Sequence, residues 1–233
     1  MALIEFKNIT KQYFTGLHTL NALDDVSFEI DEGEFVVVLG PSGAGKSTML
    51  NLLGGMEKAT KGDIIVDGNN VSAYNDKKLT KYRAEEVGFV FQFYNLIPTL
   101  TTLENIELVN DVCEKPVKAT EVLDSVGLLD HKYQFPSQLS GGEQQRVSIA
   151  RAIAKNPKML LCDEPTGALD SDTGVQILTL LQNLCREQKK TVIIVTHNSA
   201  LAETADKVIR VKNGKIREVI LNENPKAISE VQW

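Results

Sequence analysis

The chain is poor in cysteine, in long apolar runs and in basic excess, and each shortage removes a class of function. Its 233 residues hold three cysteines, Cys113, Cys162 and Cys185, with no CxxC pair and no metal-ligand spacing. That excludes a disulfide framework and a zinc site, and an odd, sparse set fits a reducing compartment. Cys162 stands in an apolar run and reads as buried packing. Apolar stretches such as Phe35–Leu39 and residues 192–195 fall far short of the roughly 20 residues that span a bilayer. The opening MALIEFKNIT carries charges where a secretory signal needs an apolar core, so the chain is not expected to cross a membrane alone. Twenty-five basic residues against 31 acidic ones give a net charge of −6, which argues against a nucleic-acid binder. No internal repeat, heptad run or low-complexity segment stands out. What is present is an ordinary globular composition, 42% apolar and 24% charged, enough for a sizeable core in one domain, or one domain with a lobe.

Periodicity gives an α/β reading. Residues 3–6 and the alternating stretch 26–30 read as strands, with Glu32-Gly33 as a turn. Phe35–Leu39, residues 159–162 and Thr191–Thr196 are continuous apolar runs, as in strands covered on both faces of a parallel sheet. A helix is expected from Gly45, carrying Met49, Leu50, Leu52 and Leu53 inward until Gly54-Gly55 stops it. Residues 61–63 read as a turn into a strand over 64–67, with Asp67-Gly68 as the next turn. From about 75 to 155 the pattern turns helical, with a short helix ending at Gly127 and a longer one over Gly141–Ala154. A further helix, with Val175, Leu178, Leu181 and Cys185 inward, is expected to be capped near Ser171. Residues 208–219 read as a hairpin about Asn213-Gly214. The sum is an α/β sheet core with a helical lobe inserted between Gln92 and about Lys155.

Two strings carry phosphate chemistry. GPSGAGKS at residues 40–47 fits G-x-x-x-x-G-K-[ST] with a buried strand before it and a helix after it. Gly40, Pro41, Ser42, Gly43, Ala44, Gly45, Lys46, Ser47 and Thr48 are therefore candidate ATP ligands. Gly43 and Gly45 let backbone N–H groups curl round the phosphates, and the helix start adds its positive end. Lys46 is expected to reach the β/γ-phosphates, and Ser47 to place its hydroxyl on Mg²⁺. MLLCDEP at residues 159–165 is an apolar strand ending in two carboxylates. Asp163 at the sheet edge is expected to hold Mg²⁺ through water, and Glu164 to polarise the attacking water. His197 ends another apolar strand on the same edge and is read as a γ-phosphate contact. His18 and His131 have no such placement. A third string, LSGGEQQR at residues 139–146, has no role on the same nucleotide if it faces away from it. It makes sense as a reader of the γ-phosphate bound by another copy.

With that string the chain resembles the ATP-binding-cassette ATPases. The P-loop, a Q-loop at Phe91-Gln92, the signature LSGGEQQR, the Walker B strand with Glu164, a D-loop at Ala168-Leu169-Asp170 and the switch His197 fall in the family's order and span almost the whole chain. NLLGGMEKATKGDI, GFVFQFYNLIPTLTTLENI and LCDEPTGALDSDTG are similar to the branch serving macrolide exporters and lipoprotein-release systems. The resemblance implies a P-loop NTPase cassette: a mostly parallel sheet core with an N-terminal antiparallel β subdomain and an inserted α-helical subdomain. Residues 1–91 and 156–233 would form the ATP-binding core and about 92–155 the signature subdomain.

It also implies roles. Tyr13 matches the aromatic that stacks on adenine. Gln92 would touch the metal or its water. Ser140, Gly141, Gly142 and Glu143 would cap the γ-phosphate of the opposite subunit, and Asp170 would sit at the dimer seam. Glu143 stands where many members carry Gln, and Phe93 where a second Gln is common in the branch. The implied activity is hydrolysis of ATP with Mg²⁺, by a dimer that holds two ATP molecules between head-to-tail copies. The protein would sit on the cytoplasmic face of the membrane, bound to a separate integral membrane permease. Phe93, Tyr94, Leu96, Ile97, Pro98, Leu100 and Leu103 are expected to line the groove for a short helix of that permease. Export or extraction of a peptide, lipid, lipoprotein or drug is the first reading. A signalling motor acting on a membrane protein without moving cargo is the alternative. A soluble cassette of DNA repair or translation fits less well, since basic excess and a coiled-coil insertion are lacking.

Overall fold

The computed structural model of the protein describes residues 2–16 and 18–231. Two sheets build it. The first is antiparallel, with β1 (Ala2–Thr15), β2 (His18–Asp31), β4 (Lys61–Val66) and β5 (Asn69–Asn70) in the order β2-β1-β4-β5. The second contains β3 (Phe35–Leu39), β6 (Val87–Phe91), β7 (Met159–Asp163), β8 (Thr191–Thr196), β9 (Lys207–Lys212) and β10 (Lys215–Leu221) in the order β10-β9-β3-β8-β7-β6. Its neighbours run parallel except the hairpin β9–β10. The helices are α1 (Lys46–Leu53), α2 (Asp76–Glu85), α3 (Thr102–Glu107), α4 (Ala119–Ser125), α5 (Gly141–Ala154) and α6 (Ser171–Gln188).

The parallel strands are apolar throughout because both faces are covered. Side chains of a strand alternate between faces, and the core divides along that alternation. Val37, Leu39, Leu160, Cys162, Val192 and Ile194 face a cluster shared with α5, α6 and the small helices α3 and α4. Val36, Val38, Met159, Leu161, Ile193 and Val195 face α1, α2 and the antiparallel sheet. Each buried aliphatic side chain contributes about 1.5–3 kcal/mol relative to exposure. A carboxylate at Ile194, which is fully buried, would break the central strand.

Three sequence readings need correction. Residues 61–63 are the first residues of β4, bonded to β1, and not a turn. The segment from 75 to 155 is not uniformly helical: Val87–Phe91 is a strand, paired in parallel with β7. Its five residues are too short for the periodicity to stand out between two helical patterns. The cap of α6 is Asp170, which accepts the Thr173 N–H, and Ser171 is the first helical residue.

The strands read over 3–6 and 26–30 run further, over Ala2–Thr15 and His18–Asp31, whereas α1 agrees, with its inward Met49, Leu50, Leu52 and Leu53. The α5 span, the β8 span and the turn at Asn213-Gly214 agree as well. Among the described residues no helix is long and apolar enough to cross a membrane.

Candidate nucleotide site

All the parallel strands point their carboxyl ends to one edge, and an open cleft of ≈ 1290 Å³ runs along it. The P-loop enters from β3 and leaves into α1. Gly45 caps that helix at φ 103, and a Cβ there would strike the Ala22 carbonyl, so only glycine fits. Ser42, Gly43, Gly45, Lys46, Ser47 and Thr48 line the cleft. Gly40, Pro41 and Ala44 do not. Ala44 is buried in the core, while the carbonyls of Gly40 and Pro41 accept the Lys46 ammonium at 2.8 and 3.1 Å. An ammonium has three donors, so one remains for an incoming phosphate. The helix start has no side-chain cap and no acid in its first turn, which leaves its N–H groups available to an anion.

Opposite Lys46, β7 delivers Asp163 in register with Val195 of β8. Ser47 donates its hydroxyl to Asp163 Oδ1 at 3.2 Å. Burial pushes the Asp163 carboxyl above its usual range, and the neighbouring Glu164 adds to this, while the Ser47 hydroxyl and Lys46 oppose it. A paired hydroxyl and carboxylate suit a hard cation such as Mg²⁺. Among the described residues no group of three or more His, Cys, Asp or Glu is arranged to hold a metal ion by itself. A divalent ion here would therefore draw most of its coordination from phosphate and water.

Glu164 has a left-handed backbone, at φ 47, with its N–H bonded to the Val195 carbonyl at 2.9 Å. A non-glycine residue in that region is strained, and such strain gathers at functional sites. Oε2 of Glu164 accepts from the Thr196 hydroxyl at 3.0 Å, and Oε1 lies 2.9 Å from His197 Nδ1. The His197 side chain is 73% exposed and open to the cleft, whereas Glu164 is 21% exposed. The carboxylate is therefore oriented at both oxygens and reaches a histidine that an incoming group can also reach.

At the far end Tyr13 lines the cleft with Leu20, Asn21 and Ala22. Gln92 follows β6 into it, and its amide nitrogen is so near Gly167 that a Cβ there would come within 2.9 Å. The cleft thus gathers Tyr13, six P-loop residues, Gln92, Asp163, Glu164 and His197. It does not gather the signature residues Ser140, Gly141, Gly142 and Glu143, nor Asp170. Ser140 caps α5, and Glu143 closes a capping box on it: its Oε2 accepts the Ser140 N–H at 2.7 Å and the Ser140 hydroxyl at 2.8 Å. His131 Nδ1 lies 3.4 Å from Glu143 Oε1. Gly142 abuts Thr173, where a Cβ would clash, and the carboxylate of Asp170 is bonded to the Thr173 N–H and hydroxyl.

Several residues escaped the sequence reading. Thr196, one residue before His197, holds Glu164. The hairpin turn Asn213-Gly214 lines the cleft and bonds to the P-loop through Gly214 N–H and the Ala44 carbonyl at 3.0 Å. The segment after Gln92 is held by the buried Asn105 and the half-buried Arg151. Asn105 bonds the Ile97 N–H and the carbonyls of Ile97, Leu100 and Thr101, while Arg151 binds the carbonyls of Tyr94 and Asn95. Of the expected groove, Phe93 is 72% exposed and Ile97 39%, while Leu96 and Leu103 pack against the core.

A family model described as ABC transporter matches residues 23–167. The chain belongs to the ABC transporter family. A putative ABC transporter ATP-binding protein of Mycoplasma genitalium is 44% identical over 234 residues, covering 99% of this chain. The chain spans about half, 50%, of that protein's length. An uncharacterised ABC transporter ATP-binding protein of Methanocaldococcus jannaschii is 46% identical over 226 residues, 92% of this chain and 95% of that one. The dimeric structure of that cassette, in a post-hydrolysis state bound to ADP and Pi, matches with a TM-score of 0.87 at 42% identity, over 95% of this chain and 99% of that one. A structure of cbiO1 from Clostridium perfringens, part of the ABC transporter complex cbiONQ, matches with a TM-score of 0.83 at 26% identity, over 98% and 90%. The fold is that of an ABC ATPase cassette.

Proposed function

We propose that this cassette hydrolyses ATP as a dimer and drives a separate integral membrane subunit. The observation that carries the reading is the split just described: the cleft holds phosphate, metal and water groups, and the signature lies off it. A second copy placed head to tail would bring Ser140 and the N–H groups of Gly141 and Gly142 to the γ-phosphate. The dimeric ADP-bound relative supports the arrangement.

In this reading the P-loop N–H groups and Lys46 bind the β- and γ-phosphates, and Tyr13 stacks on the base. Ser47, Gln92 and Asp163, the last through water, would hold Mg²⁺, which supplies charge neutralisation on the phosphates. Glu164, aimed by Thr196, orients the attacking water and takes its proton. His197 contacts the γ-phosphate and keeps Glu164 in place. Catalysis is mostly positioning and charge stabilisation. Since half of each centre comes from the other copy, ATP closes the dimer and hydrolysis opens it. Asp170 lies at the seam, and residues 92–155 act as the lobe that carries the signature.

The relative found within a transporter complex supports a membrane partner. We place its docking at the exposed part of residues 93–103, with the protein on the cytoplasmic face of the membrane. The branch serving macrolide exporters and lipoprotein release, and so export or extraction of a peptide, lipid, lipoprotein or drug, is the finer reading. Glu164→Gln tests the core: MgADP binding is kept, turnover falls, and a dimer persists in ATP by light scattering. A monomer with normal turnover would overturn it. Cysteine cross-links from Phe93 to the membrane subunit, and ATP-dependent flux in vesicles, test the partner and the branch. ATP-driven signalling without flux would replace export.

A further inference from the structure

The ring of Tyr13 is held in an unusual way. It lies near the tip of the β1–β2 hairpin, where its neighbours Phe14 and Leu20 are 73% and 62% exposed, so apolar packing does little to fix it. A polar clamp acts instead. The Tyr13 hydroxyl donates to Glu57 Oε2 at 2.6 Å, and the Lys11 ammonium sits 3.0 Å from that oxygen. The ammonium also lies 5.0 Å from the centroid of the Tyr13 ring, within cation–π range. The second Glu57 oxygen accepts from the Asn51 amide at 3.3 Å.

Asn51 belongs to α1, the helix that starts at Lys46, so the clamp ties the aromatic ring to the helix that receives the phosphates. The loop around Glu57 does not need the clamp to stay on β1. Thr60 N–H bonds to the Thr10 carbonyl at 2.8 Å, and Gln12 N–H to the Thr60 hydroxyl at 2.9 Å.

We propose that Glu57, with Lys11, is a positioning residue for nucleotide binding: it fixes the Tyr13 ring as a preformed platform for the nucleobase. This rests on Tyr13 stacking on the base. Lys11 lies over the ring, and Tyr13 lines the cleft. A ring that is already ordered does not lose that freedom on binding, and affinity rises accordingly. The protonation states agree: burial and the bond to Glu57 raise the Tyr13 phenol. For Glu57 burial acts upward but is outweighed by Tyr13 and Lys11, and its carboxyl lies below the usual range. Near neutral pH the phenol donates and the carboxylate accepts.

The test is a double-mutant cycle on MgADP affinity by isothermal titration calorimetry with the full chain. Tyr13→Ala should weaken binding about tenfold, the scale of one base–aromatic stack. Glu57→Ala should weaken it about three- to fivefold, Glu57→Gln less than about twofold, and Glu57→Ala should add nothing in the Tyr13→Ala background. Binding by Glu57→Ala equal to wild type, or an equal loss with and without Tyr13, overturns the inference, since a merely structural role would weaken both backgrounds. Lys11→Met carries the same cycle should Glu57→Ala fail to fold. A Tyr13→Ala variant that binds like wild type sinks the stacking reading itself, a different outcome.

Discussion

Two helix starts in this molecule are equally suited to anions and are treated in opposite ways. At α1 the cap is Gly45, no side chain fills it, and its first turn holds no acid. At α5 the cap is Ser140, and the carboxylate of Glu143 already occupies the Ser140 N–H and hydroxyl. The orphan N–H groups of a helix start need an acceptor. The first start leaves that place to a ligand and lines a cleft. The second meets part of the need internally and does not line that cleft. In the proposed reading, the start left open is where the chain binds its own nucleotide. A self-capped start folds without ligand and can serve a phosphate that arrives from outside.

Substitutions at the two starts should separate them, and the cleft should give the largest effect. Glu164→Gln removes the proposed general base and should cut turnover about 10²–10⁴-fold while MgADP affinity by calorimetry is unchanged. Lys46→Ala removes the proposed charged hydrogen bond to phosphate and should weaken MgADP by about 10–150-fold. MgADP should raise the melting temperature of wild type, by linkage to the open start, and barely that of Lys46→Ala.

The smallest effect belongs to the closed start. Glu143→Ala should leave MgADP affinity unchanged and cost about 1 kcal/mol of stability, the usual worth of a cap. The Ser140 N–H and hydroxyl hold the Glu143 carboxyl below its ordinary value of 4.5, with burial opposing and His131 and Arg146 helping. A lowered carboxyl stabilises the fold above its unfolded pKa, and the gain is lost as pH falls through the folded one. The melting-temperature gap between wild type and Glu143→Ala should therefore be full at neutral pH and close in acid below that value.

Legibility in the sequence followed how local each feature is. The P-loop, β3, β8 and α5 were readable because apolar runs, glycines and helical periodicity act within a few residues. The strand at 87–91 was not, since a short run between helices has no period of its own. Nor could Thr196 or Glu57 be singled out: each acts through a partner that only folding brings near, Thr196 on Glu164 across 32 positions and Glu57 on Tyr13 across 44. The capping acid Asp170 was missed by one residue because Ser171 is an equally good cap.

The central claim is that Ser140 completes a neighbour's centre and not its own. Ser140→Arg measures it most directly, with MgADP affinity and ATP turnover followed on the same preparation. The account predicts wild-type MgADP affinity, no ATP-dependent dimer and loss of turnover. Unchanged turnover, or nucleotide affinity lost in the monomer, would contradict it.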